Sequence, residues 1–411
     1  MKTLKRIFNN VSPKIEKISK PQKDFLLELF EVVFSLYGKG NFLNFARYSK
    51  FNECTFRRNF LKYINWIQLN YAIICLYNSN LEIQIAAVDC SFIPKSGKKT
   101  FGIDKFWSGA SNKALKGLEI SLLCLINVKT RIAWALDVCQ TPPNLSSKES
   151  TNNGYTRIDF YLEQFLDCLP VLKDITYLVA DGFYAKQKVF DTVLESNKHL
   201  ITKLRTDANL RFLYKSEHKK GKKSNRQKYD GKVMFDDLSK WIFEGADYKY
   251  NHLHIYYQTL NSPRFKLNLK VVLIFNTRTN KYILLCSTDI YQPARQILEY
   301  YQLRFQIEFL FRDAKQFSCL NHCQARDQHK LDFHFNMSLT AINLSKAVMI
   351  TENTKSLNNF VRKAYNQKFI DFIYFKLRIK PKFDHNNITM KEIIEFGSTG
   401  FVHKNYFAQK H

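Results

Sequence analysis

The order of strand and helix patterns between residues 82 and 204 is the strongest constraint on the fold of this chain. Short apolar runs rich in β-branched residues predict strands, and runs with apolar residues three and four positions apart predict helices. In chain order, strands are predicted at 83–89, 118–128 and 131–138, a helix at 156–169, a strand at 175–182, a helix at 186–196 and a strand at 199–204. This order predicts an α/β fold with a mixed sheet flanked by helices.

A later segment, residues 294–316, is predicted to form a helix with two different faces. At about 100° per residue, one face carries an apolar stripe that must pack on a core, formed by Leu303, Ile307, Leu310 and Ala314. The opposite face places Glu308 within a strip of one phenol and three cations, formed by Tyr301, Arg304, Arg312 and Lys315. Such a carboxylate is a candidate metal ligand for phosphodiester chemistry, although ion pairs of Glu308 with Arg304 and Arg312 on a solvated face explain the same pattern.

Three carboxylates are candidates for one shared site. Asp89 and Asp181 are each predicted to end an apolar strand, and Glu308 lies on the later helix. Ligands of open α/β sheets bind outside the carboxyl ends of the strands, and carboxylates meeting there can hold two Mg²⁺ ions. Either aspartate taken alone is better explained as a turn or cap residue. The combination of all three with the cation-lined helix favours a metal site.

The charge of the chain indicates a polyanionic partner. Lys and Arg number 63 against 36 Asp and Glu, which gives a formal net charge of +27. Nucleic acid is the first candidate and an anionic membrane surface the second. The second is disfavoured because no apolar run approaches the roughly 20 residues of a spanning helix, and the first ten residues contain no apolar signal region. We therefore expect a cytosolic protein without a membrane partner.

The nine cysteines are scattered and odd in number, a pattern typical of reduced thiols in a reducing compartment. One cluster contains groups that can bind zinc, namely Cys319, His322, Cys323, His329 and His334. Its spacing matches no familiar zinc module, and a structural loop followed by a helix is the preferred interpretation.

The N-terminal region has a helical pattern. Residues 22–36 form an amphipathic helix that ends at Gly38-Lys39-Gly40, followed by a short helix at 42–48 and a turn at 49–52. A second helix at 53–63 carries three basic residues, Arg57, Arg58 and Lys62. Two short helices around a tight turn resemble a helix-turn-helix that contacts DNA, and an ordinary helical hairpin has the same pattern.

A change in composition divides the rest of the chain. A basic run with Lys at 215, 219, 220, 222, 223 and 228 and Arg226 opens a segment with β-rich runs at 252–258, 266–275 and 281–287. We predict an all-helical DNA-binding domain at 1–80, an α/β catalytic domain at 81–205 and 294–350, and a β-rich insertion domain at 206–293. Residues 351–411 form a C-terminal region that is a candidate for dimerisation or DNA contact.

The spacing Tyr301-x2-Arg304-x3-Glu308-x6-Lys315 resembles the YREK signature of bacterial insertion-sequence transposases of the DDE type, in the IS-four-like group. Asp89, Asp181 and Glu308 match the catalytic triad of that family in order. The stretch 177–184 resembles its second-aspartate motif, and the β-rich insertion lies where the cut-and-paste members carry theirs. The resemblance covers roughly residues 80–350.

The resemblance implies a fold, a cofactor and partners. It implies an RNase H-like catalytic core, dependence on two Mg²⁺ ions held by the three carboxylates, with Mn²⁺ as a substitute, and a homodimer that brings two transposon ends together. The implied chemistry is strand cleavage by water, hairpin formation and opening at the ends, and strand transfer to target DNA. The partners would be double-stranded terminal inverted repeats and target DNA in a bacterial cytoplasm, with the protein associated with the nucleoid.

The resemblance also assigns roles to residues of the later helix. Tyr301, Arg304 and Lys315 would contact phosphates of the transposon end, and Arg312 is given a phosphate contact as well. Trp241 or Tyr282 in the insertion would stack on a flipped base. Two alternatives remain open: a non-catalytic DNA-binding relative of a transposase, and another nuclease on the same fold.

Overall fold

One mixed β-sheet with helices packed on it organises the chain. The computed structural model describes residues 1–78, 82–146, 154–214, 228–354, 356–379 and 388–399. The strands are β1 Gln84–Pro94, β2 Asp104–Ser108, β3 Lys113–Asn127, β4 Ala133–Gln140, β5 Tyr177–Ala180, β6 His199–Leu204, β7 Arg211–Leu213, β8 Tyr229–Lys232, β9 Ile242–Ala246, β10 Leu253–Ser262, β11 Leu267–Asn276 and β12 Lys281–Ser287. The helices are α1 Lys2–Val11, α2 Lys20–Ser35, α3 Phe42–Arg47, α4 Glu53–Asn59, α5 Trp66–Tyr77, α6 Arg157–Cys168, α7 Gln187–Glu195, α8 Ala294–Leu303, α9 Gln306–Phe317, α10 Gln328–Thr351, α11 Leu357–Leu377 and α12 Ile388–Glu395.

Five strands in the order β4-β3-β1-β5-β6 form the centre of the sheet. β3 runs antiparallel to both β1 and β4, whereas β5 runs parallel to β1 and β6 runs parallel to β5. Residues 118–127 of β3 are all buried, as expected for a strand covered on both faces. Three antiparallel strands followed by two parallel ones joined through helices form an RNase H-like core, so the predicted fold class is confirmed.

The strand β1 extends five residues beyond the predicted end at Asp89, so the prediction that Asp89 ends a strand is wrong. The reason is the length of β3, which supplies a partner for each further residue of β1, up to Pro94 opposite Gly117. Asp89 therefore lies inside the strand, opposite Leu122. Asp181, by contrast, directly follows the last residue of β5, as predicted.

The single helix predicted at 294–316 is also wrong, because the structure divides it into α8 and α9 at Arg304 and Phe305. The amide of Phe305 donates to Gln302 and that of Ile307 to Arg304, so the backbone winds more tightly here than an α-helix. The two halves pack on different partners: α8 on β6, β11 and β12, and α9 on β1, β4 and α10. The break turns the chain from one surface to the other.

The N-terminal helices share a hydrophobic core with the rest of the chain. α1 and α5 pack on α10, and α2 packs on α11. Phe25, Phe56 and Phe60 form an aromatic cluster with Phe333 of α10, where the Phe60 and Phe333 ring centroids lie 4.3 Å apart. The predicted short helices around a turn are confirmed as α3 and α4, although α4 ends at Asn59, before the predicted residue 63.

The strands between residues 206 and 293 extend the same sheet. β12 pairs antiparallel with β6, and β11, β10, β7 and β8 follow outward in that order. The β-rich runs predicted in this segment are confirmed as β10, β11 and β12. The basic run lies outside the described residues except for Lys228, and the proposed domain boundaries stay predictions.

None of the described helices is both long and apolar enough to span a lipid bilayer.

Candidate active site

Asp89 occupies a central position in the sheet, between neighbours on both sides. Its strand pairs with β3 on one side and with β5 on the other. Because side chains alternate along a strand, Asp89 faces the loop before α9, whereas the Cys90 thiol lies 3.5 Å from the Tyr184 hydroxyl on the opposite face. The carboxylate is largely buried and accepts a hydrogen bond from the Cys90 amide at 2.8 Å. Asp89 is thus fixed by backbone pairing and not by a flexible loop.

Asp181 is held at the end of β5 by two contacts. Its Oδ1 accepts a hydrogen bond from the Phe183 amide at 2.9 Å and caps the short 3-10 turn Gly182–Tyr184. The Thr202 hydroxyl of β6 donates to its backbone carbonyl at 2.7 Å. The cap role considered for this aspartate is therefore real. The cap engages Oδ1, and it holds the carboxylate in a defined direction.

Arg304 brings Asp89 and Glu308 together. Its Nη1 donates to Asp89 Oδ2 at 2.5 Å, and its Nη2 lies 4.0 Å from Glu308 Oε1. The Arg304 side chain is 13% exposed, and its guanidinium carbon lies 5.6 Å from the centre of the Tyr301 ring. The ion pair of Arg304 with Glu308 that the sequence suggested is present only as a long contact, and Asp89 is the closer partner. Glu308 is in the first turn of α9 and is 46% exposed, which leaves it accessible from solvent.

The other two cations of the strip lie in different surroundings. Lys315 is largely buried, and its Nζ donates to Ser91 Oγ at 2.8 Å and to the Phe92 carbonyl at 3.2 Å. Arg312 is exposed and pairs with Asp313 at 3.0 Å. The partner of Arg312 is therefore Asp313 and not Glu308, which the sequence had suggested. Lys315 is anchored beside β1 next to the carboxylates, whereas Arg312 points to solvent.

Burial makes all three carboxyl groups harder to ionise, and the other two carboxylates add to this effect at Asp89. Burial raises the pKa of Asp89 to about 6; the Arg304 guanidinium opposes this, and the Asp181 and Glu308 carboxylates add to it. Burial is also the largest cause of the raised pKa of Asp181 and of Glu308. Burial lowers the pKa of Lys315. Neighbouring acidic groups favour a cation beside them, and the Arg304 guanidinium is one that the protein itself supplies.

The donor set suits a divalent cation, but the side chains are not arranged around one. Within the part of the chain that the structure describes, no three His, Cys, Asp or Glu side chains lie close enough together to hold a metal ion. All three groups offer oxygen, which Mg²⁺ prefers. The Arg304 guanidinium lies on Asp89 Oδ2, and the Cys90 amide donates to the other oxygen, Oδ1. The metal-ligand roles of Asp89, Asp181 and Glu308 therefore stay predictions.

The cysteine and histidine cluster has a structural explanation. His334 is buried, and its Nε2 lies 2.8 Å from the Cys319 carbonyl. The Gly40 amide donates to His322 Nδ1 at 3.2 Å, and a Cβ added at Gly40 would lie 2.5 Å from the Cys319 side chain. These contacts join the N-terminal region to the segment after α9, in agreement with the interpretation as a loop and helix. All nine cysteines are free thiols.

The remaining predicted DNA-contact residues lie apart from the carboxylates. Arg57, Arg58 and Lys62 are exposed on α4 and the turn after it. Arg57 also forms an ion pair with Glu53 and lies over the Phe42 ring. Their DNA contacts stay predictions.

The two aromatic residues considered for base stacking lie in the insertion. Trp241 is buried beside Phe235, with 6% of its surface exposed, and the Tyr282 hydroxyl donates to the Thr206 carbonyl at 3.0 Å. Both rings pack on Phe235. The geometry does not choose between them.

Two residues of the site were not found from the sequence. Ser91 lies two positions after Asp89 and binds Lys315, and Thr202 fixes the backbone of Asp181. Position along β1 could have indicated Ser91, because residues i and i+2 lie on the same face of a strand. Thr202 carried no comparable signal, since its contact depends on the pairing of β5 with β6.

Comparison with known families agrees with the fold. Residues 80–344 match the transposase DDE domain family, a range that covers more than half of the chain and includes Asp89, Asp181 and Glu308. The chain belongs to this family of DNA transposases. Members act on DNA and generally use divalent metal ions. No protein of curated function is similar enough in sequence to be matched to the chain.

Proposed function

We propose that this protein is a Mg²⁺-dependent cut-and-paste transposase of an insertion sequence, in the IS-four-like group with the YREK signature. The observation that carries the proposal is the convergence of the Asp89, Asp181 and Glu308 environments around one guanidinium. Arg304 contacts two of these carboxylates, and the other two carboxylates, Asp181 and Glu308, both raise the pKa of Asp89. The residues come from β1, the end of β5 and α9, which only the folded core brings together.

The three carboxylates are the proposed metal ligands, with two Mg²⁺ ions or Mn²⁺ in their place. When bound, such ions activate the attacking oxygen and stabilise the leaving oxygen of a phosphodiester. Asp89 and Asp181 contribute oxygens held by the sheet and by the cap. Glu308 contributes one from the solvent-accessible side, where a DNA strand can approach.

The basic groups beside the carboxylates are the proposed phosphate contacts. Lys315 makes two hydrogen bonds to the protein, so one of its three N–H donors remains for a phosphate oxygen. Arg304 offers a planar fork that suits bidentate phosphate binding, with Tyr301 beside it. Arg312 is exposed on the same helix as Lys315 and is proposed to contact phosphate farther along the strand.

The proposed partners follow from charge and family. A net charge of +27 favours double-stranded DNA, here the terminal inverted repeats and the target. Excision through hairpin ends in a homodimeric synaptic complex, and association with the bacterial nucleoid, extend the proposal from the YREK resemblance.

Substitutions should separate the catalytic residues from the phosphate contacts. Asp181→Asn should leave DNA affinity within about twofold and abolish Mg²⁺-dependent cleavage of duplexes that carry the terminal repeats, because a neutral amide cannot replace a metal-binding carboxylate. Lys315→Ala should instead weaken DNA binding and lower the salt slope of log K by about one unit. Gel-shift titrations at several salt concentrations and strand-cleavage assays measure both effects.

The matched control is Glu195→Gln, an exposed carboxylate at the end of α7. It should cleave and bind as the wild type does. DNA binding without cleavage by the wild type would favour the non-catalytic relative. Cleavage retained in Asp181→Asn would contradict the proposed site.

A further inference from the structure

The contact of Arg304 with Asp89 interferes with the roles proposed for both residues, phosphate binding by Arg304 and metal binding by Asp89. Its Nη1 is bound to Asp89 Oδ2, and the pair is largely withdrawn from solvent, with 13% of the Arg304 side chain and 21% of the Asp89 side chain exposed. A cation coordinated by that oxygen would lie where the guanidinium lies. While Nη1 stays on Asp89, only Nη2 and the buried Nε are left for a DNA phosphate.

The contact with Asp89 leaves the other hydrogen-bond donors of the Arg304 guanidinium without good partners. Arg304 Nε is buried without a hydrogen-bond partner among the described residues, and the distance from Nη2 to Glu308 is long for an ion pair. An arginine fork bound to phosphate uses two donors in parallel, so a phosphate oxygen pair offers this side chain more than Asp89 does. Arg304 also lies at the break between α8 and α9: its amide still donates to the Tyr300 carbonyl as in an α-helix, but its own carbonyl accepts from Ile307, three residues on.

We infer that Arg304 is an internal counter-ion that competes with the metal ion for Asp89, and that a DNA phosphate relieves this competition by withdrawing the guanidinium. This inference rests on the proposed function, because it takes the three carboxylates as the metal ligands. It adds a coupling: DNA at the site strengthens metal binding, and metal strengthens DNA binding by the same factor. The metal ions that hydrolysis needs are then bound most tightly where a DNA phosphate is present.

The competition between Arg304 and the metal ion can be tested without DNA by removing the guanidinium. Free Mn²⁺ is measured by electron paramagnetic resonance in titrations of the full-length chain. Arg304→Gln should bind Mn²⁺ about tenfold more tightly than the wild type. Adding Asp89→Asn to Arg304→Gln should remove this gain, since the gain depends on the oxygen that Arg304 had occupied.

Lys315→Gln is the matched control for the loss of one nearby positive charge. Lys315 lies on α9 beside the site but contacts Ser91 and Phe92 instead of a carboxylate. Its loss should raise Mn²⁺ affinity clearly less than the loss of Arg304 does, because long-range charge is removed in both variants but the contact with Asp89 is removed only in Arg304→Gln. An equal gain in Lys315→Gln and Arg304→Gln would overturn the inference.

Arg304→Lys guards against a folding defect, because it keeps the charge but lacks the forked donor. It should give a smaller gain, about threefold, with the circular dichroism spectrum of the wild type. Equal Mn²⁺ affinities for the wild type, Arg304→Gln and Arg304→Lys would overturn the inference. That result leaves the proposed function intact if Asp181→Asn still abolishes cleavage, so the two proposals fail separately.

Discussion

At the scale of single residues, the candidate site gathers buried acidic groups that cost the fold stability. Asp89 lies in the middle of a strand, where an apolar residue would pack without desolvating a charge, and its pKa is raised to about 6. Arg304 compensates only in part. Such strain is common where side chains are placed for binding or catalysis and not for packing.

Asp332, a buried acid away from this site, offers a test of how burial raises a carboxyl pKa and lowers stability. Burial, with the Asp137 carboxylate nearby, raises the pKa of Asp332 from 3.8 to about 7. The folded protein then keeps a proton that the unfolded chain releases, so the stability that Asp332 contributes below pH 3.8 is lost as the pH rises through about 7. Asp332→Asn should therefore raise the free energy of unfolding at pH 8 by about 2–4 kcal/mol.

Urea unfolding of both proteins at pH 4 and pH 8 measures this difference. The gain should fall below about 1 kcal/mol at pH 4, where the folded protein keeps the proton and the unfolded chain is still about half protonated. The control is Asp191→Asn on the exposed side of α7, which should change stability by less than about 0.5 kcal/mol at either pH. A gain for Asp332→Asn that is larger at pH 4 than at pH 8 would refute the assigned cause.

Residue-scale prediction from the sequence reached the acidic groups but not their contacts. The three carboxylates could be selected because the spacing of the later helix and the apolar runs before each aspartate are local patterns. The pairing of Arg304 with Asp89 joins positions 215 residues apart. That contact depends on where α9 packs against β1, which no local pattern contains.

At the scale of elements, predictions succeeded where burial alone fixes the pattern. β6 and β12 were predicted with their observed bounds because each is a short apolar run between turn residues. β2 was missed because its residues 104–108 mix charged, aromatic and polar side chains on a short strand that pairs with β3. α1 was not predicted, although its sequence has a helical pattern. Four buried apolar residues recur at helical spacing in it: Leu4, Ile7, Phe8 and Val11.

The break between α8 and α9 had no signal in the sequence. It contains neither Gly nor Pro, and both Arg304 and Phe305 keep right-handed helical angles. The two halves separate because each is packed on a different surface. Helix assignment from periodicity cannot detect such a turn, because the apolar stripe continues through it.

The helix α4 and the turn after it carry the prediction for recognition of the transposon ends. Deleting residues 1–75 would remove buried side chains such as Leu29 and Phe30 from the shared core, so point substitutions are the cleaner test. Arg58→Ala with Lys62→Ala should reduce discrimination between the terminal repeat and a scrambled duplex by about tenfold, while salt-sensitive binding to any DNA remains.

Competition binding at fixed salt measures that ratio, with Arg6→Ala on the exposed face of α1 as the control. Arg57 is omitted because its contacts with Glu53 and Phe42 give it a structural role as well. Unchanged discrimination in the double variant would move sequence recognition to another part of the chain.

At the scale of the whole molecule, one sheet connects the parts that the sequence divided. The strands of the predicted insertion continue outward from β6 through β12, and the N-terminal helices pack on α10 and α11. In the proposed function, a strongly basic chain built in this way presents Asp89 and Asp181 from the centre of the sheet and Glu308 from α9, while its net positive charge attracts DNA. The account therefore depends on one claim: the three carboxylates act together on a bound phosphodiester.

Anomalous diffraction from crystals of the full-length chain with Mn²⁺ and a terminal-repeat duplex tests that claim most directly. We expect Mn²⁺ peaks about 2.0–2.6 Å from carboxylate oxygens of Asp89, Asp181 and Glu308, with Arg304 turned from Asp89 to a DNA phosphate. Mn²⁺ bound elsewhere, with a DNA end in the site and Arg304 still on Asp89, would contradict the account.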